Sequence, residues 1–179
     1  LDEERIRRLV DRKLLLLGVS IDGIGGVHDR FRGKAGTFAR VSANLALLRD
    51  YKRRTGSRRP LLDIKAVLTA ETLSTLDQLY DYAASMDADF LTVSLPKLND
   101  IQFHANLVSG LDDRRITELP KPPRGDVAAM QAAIDRLMAR SAAARTKIRT
   151  YPRLTQRHGV AAFFDDSPLP ARYQACTEP

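Results

Sequence analysis

A serine and an aspartate two residues apart, Ser20 and Asp22, stand where an apolar run breaks into a glycine-rich loop, in the segment LLLLGVSIDGIGGVHDRFRG of residues 14–33. On an extended backbone, residues i and i+2 point to the same side, so the hydroxyl and the carboxylate would emerge together. Such a pair suits the hydrogen-bond donors of a ribose or an amino acid. A purely local reading stands beside it, in which Asp22 closes the loop by accepting backbone amides. Gly23, Gly25 and Gly26 remove side-chain bulk where a ligand or the backbone must come close. His28 titrates near neutral pH and can pass a proton; a lone loop histidine can equally pin the loop together with Asp29 and Arg32. Arg40 offers a guanidinium either to a ligand carboxylate or to solvent.

The elements that must position these groups alternate between strand and helix patterns. Asp2–Asp11 is predicted as a short amphipathic helix with Ile6, Leu9 and Val10 on one face. Lys13–Ser20 follows as a first strand, with the unbroken apolarity of one buried on both faces. Thr37 is placed to cap a helix whose Phe38, Val41, Leu45 and Leu48 form one stripe, ended by Gly56 and Pro60. Leu61–Leu68 is a second strand and Glu71–Ser85 a second long helix, with Thr69 or Glu71 as its cap. Asp89–Leu95 is a third strand, alternating Phe90, Thr92 and Ser94 against Leu91, Val93 and Leu95, one set facing inward. Short connections of this kind imply right-handed crossovers and parallel strands. Beyond Leu95, residues 96–124 read as loop, Asp126 as the cap of a long helix, residues 145–153 as a basic tail and Thr155–Pro179 as an extended linker.

With 179 residues, 44% of them hydrophobic, one domain with a sizeable core is the default. A formal charge of +7 raises the question of an acidic partner. The cations cluster in helices and their ends, and aromatics are only 6%, so a stacking platform for single strands is not indicated. No apolar stretch approaches the roughly 20 residues of a membrane span. The single cysteine, Cys176, excludes an internal disulfide framework and fits a reducing, cytoplasmic setting. His104 and His158 have no partners at metal-ligand spacing. The chain starts in a charged helical pattern without an initiator Met, and is expected to be a fragment.

The register Val19-Ser20-Ile21-Asp22-Gly23, then His28-Asp29, Arg32-Gly33 and Gly36-Thr37-Phe38, resembles radical S-adenosylmethionine (SAM) enzymes, in the branch with a cysteine-rich SPASM or twitch domain. That resemblance implies an α/β fold: strands four to six of a (β/α)6 partial barrel, then a helix and an extended tail. Residues 1–150 would be the second half of the barrel, and residues 151–179 a linker into a truncated SPASM or twitch region. By the same resemblance Ser20, Asp22, Gly23, Arg40 and backbone near Leu95 would contact SAM, and His28, Asp29 and Arg32 would order the loop. Thr72 stands where the family usually has an Asn, and Lys97 would lie on the substrate side. The parent would use a [4Fe-4S] cluster to cleave SAM to a 5′-deoxyadenosyl radical, with a protein or peptide among the substrate classes. One cysteine cannot hold that cluster; Cys176 would at most be an auxiliary ligand in a longer parent. The isolated chain is therefore expected to be inactive, to lack its partner half-barrel (strands one to three with the cluster cysteines), and to self-associate through bare edges. The alternatives are a non-catalytic α/β interaction module and a basic nucleic-acid-binding protein.

Overall fold

The computed structural model describes residues 2–95, 124–151, 153 and 159–161. Four strands, β1 (Leu16–Ser20), β2 (Leu61–Val67), β3 (Phe90–Ser94) and β4 (Lys147–Tyr151), form one all-parallel sheet in the order β1-β2-β3-β4. The helices are α1 (Glu3–Asp11), α2 (Gly26–Phe31), α3 (Thr37–Thr55), α4 (Ala70–Leu73), α5 (Leu76–Ser85) and α6 (Arg124–Ser141). Right-handed crossovers between successive neighbours put every connecting helix on the same side of such a sheet.

The register makes that asymmetry explicit. The row Val19–Ile64–Leu91–Ile148 runs across all four strands on the covered face, and Ile64 and Leu91 are fully buried there. The adjacent rows alternate to the other face: Gly18–Asp63–Phe90–Lys147, then Ser20–Lys65–Thr92–Arg149. The covered face packs on Ile6 and Val10 of α1, Leu45 and Leu48 of α3, Leu76 and Leu79 of α5, and Met130, Ile134 and Leu137 of α6.

The α/β class, the parallel strands and three of the strand positions agree with the sequence reading, and five features do not. β1 is not buried on both faces: it is an edge strand, and Leu14, Leu15 and Leu16 are 37%, 58% and 41% exposed. The stretch read as a basic tail contains β4, so the third strand is interior and the second edge belongs to β4. One long helix over 71–85 is two, α4 and α5, split at Ser74 and Thr75. Asp126 lies inside the first turn of α6, not before it. Lastly, the expected linker returns to the core: the Val160 amide donates to Gln131 Oε1 (2.7 Å) and its side chain is fully buried. The expectations for residues 96–123, including Lys97 and His104, and for His158 and Cys176 lie outside the described residues.

Candidate functional site at the end of the first strand

β1 ends at Ser20, whose side chain is exposed on the open face of the sheet. The ladder continues one residue further, where the Ile21 amide donates to the Lys65 carbonyl (2.8 Å). Asp22 then turns into the protein. It is 1% exposed, and its Oδ1 accepts the Val67 amide at 3.0 Å, standing in for the next carbonyl of the ladder. Ser20 and Asp22 are therefore not a matched pair at a pocket mouth, as i, i+2 geometry suggested. The hydroxyl faces outward and the carboxylate is committed to the loop.

That loop is held from several directions. The Asp22 amide donates to His28 Nδ1 at 3.1 Å. An accepting Nδ1 carries no proton, so the neutral ring is protonated at Nε2. His28 Nδ1 and Asp22 Oδ2, 3.9 Å apart, consequently form no ion pair. Burial pushes the His28 pKa below its usual value, against the raising influence of the Asp22 carboxylate. Arg32 Nη2 lies 2.5 Å from Asp22 Oδ2, yet no donor is aligned with that oxygen, which is buried without a hydrogen bond. The charge of Asp22 is thus answered by the guanidinium across an ion pair.

Asp29 has a different task. Its Oδ2 and Oδ1 accept the Gly36 and Phe38 amides at 2.7 and 2.8 Å, capping α3 from a distance. Thr37, the expected cap, instead donates its hydroxyl to the Lys34 carbonyl. The Phe38 amide, first among several such bonds, holds the Asp29 carboxyl below the ordinary carboxylate range. His28, Asp29 and Arg32 thereby converge on one loop, through an amide acceptor, a helix cap and a counter-charge.

Gly23 serves the chain itself. A Cβ there would sit 2.6 Å from Val27 Cγ1 and 2.9 Å from Thr75 Oγ1, so the space is filled from within. Thr75 Oγ1 also accepts the Ile24 amide (3.3 Å), and Arg30 pairs with Glu71 (2.9 Å), tying α2 to the α4–α5 segment. Thr69 caps α4 in a reciprocal capping box with Thr72, whose hydroxyl donates to the Val67 carbonyl. Leu95 is 2% exposed and its amide donates to the Tyr151 carbonyl (2.8 Å), so the new fourth strand takes up that donor. Arg40 is exposed in the first turn of α3, with no ion pair among the described residues.

The open face below Ser20 contains polar groups that the sequence reading did not single out. Asp63 is only 3% exposed, and its Oδ1 accepts the Thr92 hydroxyl at 2.7 Å. Lys65 is exposed beside Ser20 in the register, and Arg149 stacks its guanidinium 3.2 Å over the Phe90 ring. Strict alternation over β2 and β4 was the available signal; it needed the fourth strand to show which set shares the face with Thr92. No group of three or more His, Cys, Asp or Glu that could hold a metal ion exists among the described residues. No helix among them is long and apolar enough to cross a membrane. No protein-family model matches the chain, and no curated protein matches it.

Proposed function

We propose that the chain is the later part of a radical SAM partial barrel, and that its open sheet face forms one wall of the SAM and substrate pocket. The observation that carries the reading is the one-sided layering among the described residues: four parallel strands in sequential order, helices on one face, and a polar row across the other. A doubly wound sheet reverses its strand order and covers both faces; a barrel wall does neither, and its ligands bind at the carboxyl ends of the strands.

The residues fit SAM in part. Ser20 presents a hydroxyl with no hydrogen-bond partner among the described residues, at the end of β1, suited to a ribose or methionine polar group. Arg40, exposed and without an ion pair among the described residues, is a cation suited to the SAM carboxylate. Asp22 acts as a positioning residue, because its carboxylate sets the strand end from which Ser20 projects. Gly23 has no room for a side chain and the Leu95 amide is taken by the Tyr151 carbonyl, so neither offers SAM a polar side chain. The residues do not fit the [4Fe-4S] cluster, since the whole sequence has one cysteine. On this reading a preceding half-barrel supplies the cluster thiolates, and lysine, threonine and arginine of the open face meet the substrate. A protein or peptide side chain is the substrate class we favour.

The test starts from the coding sequence upstream of Leu1. An in-frame three-cysteine element is expected; the longer polypeptide, reconstituted anaerobically with iron and sulfide and then supplied with a one-electron reductant such as dithionite, should release 5′-deoxyadenosine and methionine from SAM. Ser20→Ala in that polypeptide should weaken SAM binding by about tenfold, the cost of one lost hydrogen bond in a closed site. Absence of the three-cysteine element, or of SAM cleavage, overturns the reading in favour of a non-catalytic module.

A further inference from the structure

The opposite end of the sheet, where the strands begin, holds a cleft of about 560 Å³. It lies between the last turns of α3, the α3–β2 connection, the α5–β3 turn and the residues before β4. Its charged lining comprises Arg49, Lys52, Arg53, Arg58 and Arg145 against Asp87 and Asp89.

Most of those charges are accounted for. Arg53 pairs with Asp87 at 2.7 Å, and Arg145 lies 3.7 Å from Asp87 and 4.0 Å from Asp89. Arg49 pairs with Asp50 at 2.9 Å, outside the cleft. Both lining carboxylates are therefore matched by two of the arginines. Lys52 and Arg58 are left with no carboxylate in ion-pairing range among the described residues.

Lys52 is the unusual member, a lysine only 8% exposed. Its Nζ donates to the Pro60 carbonyl at 2.7 Å, one acceptor for an ammonium that carries three donors. Burial lowers its pKa, against the raising effect of Asp89, as expected of a cation short of partners. A buried charge with unmet donors is costly until an anion reaches it. Beside these cations the wall turns apolar at Leu61 and Met86.

We propose that this cleft binds a phosphate monoester, its phosphoryl group between Lys52 and Arg58 and its organic group against Leu61 and Met86. Two uncompensated cations call for a dianion. An arginine fork and an ammonium together offer more donors than a carboxylate can accept, whereas a phosphoryl group presents three terminal oxygens. The site is independent of the pocket at Ser20 and of the reading given for it.

Titration of the full chain with inorganic phosphate and with phenyl phosphate, at constant ionic strength set by chloride, tests the assignment by amide NMR shifts. Saturable shifts are expected at Ser57, Arg58 and Asp87. Arg58→Glu, an exposed substitution, should weaken binding by about tenfold or more. Arg54→Glu, whose guanidinium instead stacks on Tyr51, should leave it within about twofold. Phenyl phosphate should bind about threefold tighter than phosphate, through apolar contact. Non-saturable shifts, or equal weakening by both reversals, would mean diffuse screening and overturn the site. Equal affinity for the two ligands would overturn the role of Leu61 and Met86.

Discussion

The two faces of the sheet are made from alternate residues of the same strands, yet they follow different rules. On the covered face the central row is Val19, Ile64, Leu91 and Ile148, packed against apolar side chains of α1, α3, α5 and α6. On the open face the next row is Ser20, Lys65, Thr92 and Arg149. Hydrophobic burial specifies the first row, because each side chain removed from water contributes about 1.5–3 kcal/mol. Nothing in packing requires the second row to be polar in all four strands. A packed apolar row and a polar row are therefore separated by one residue of register.

The largest expected effect breaks that contrast directly. Ile64→Ala should cost about 2–5 kcal/mol in urea unfolding, by lost burial and a residual cavity. Its neighbour Lys65→Ala should stay within about 0.5 kcal/mol. Equal costs would mean that the open face is itself packed.

Next comes the loop that joins the faces. Gly23→Ala forces a methyl against Val27 and Thr75 and should cost about 1–3 kcal/mol by overpacking. A neutral outcome in thermal unfolding would show that the loop yields there. Smaller still is the pH effect of His28. Its native pKa lies below the ordinary value, whereas the unfolded chain protonates near about 6.5. The unfolded state then binds more protons as the pH falls through that value. Stability should thus be full above about pH 6.5 and decline below it, by at most about 1.4 kcal/mol per pH unit. In His28→Gln this contribution to the slope should vanish, and an unchanged slope would assign it elsewhere.

The last prediction leaves folding nearly untouched. Leu14, Leu15 and Leu16 present exposed apolar side chains along β1, which is the edge of the sheet among the described residues. Concentration-dependent association of the chain is expected in light scattering, and Leu15→Lys should reduce it while moving stability by no more than about 0.5 kcal/mol. A monodisperse monomer at high concentration would argue that the edge protects itself.

What the sequence made legible follows the strength of the apolar signal. β2 and β3 combine β-branched and leucine runs with clear boundaries, so their positions came within a residue. β4 was missed because KIRTY carries one strong apolar residue, Ile148, between two exposed cations, and only pairing with β3 makes it a strand. α2 has six residues and no side-chain cap, too short for periodicity to register. The candidate site was half legible. The tetrapeptide at Ser20 marks a strand end correctly, but the fate of Asp22 depends on the Val67 amide 45 residues away. Local spacing carries no information about such a bond. Asp29 as the cap of α3 was hidden for the same reason, since the nearer Thr37 satisfied the usual sequence rule.

Val160 settles where this fold can be shortened. Its side chain plugs a space beside α6, and Gly159 is obliged to be small by the Gln131 side chain beneath it. A polypeptide trimmed after Tyr151 would keep all four described strands and still lose the stopper, opening the helical layer to solvent at Gln131. Anyone dividing the chain for expression must carry it past residue 161.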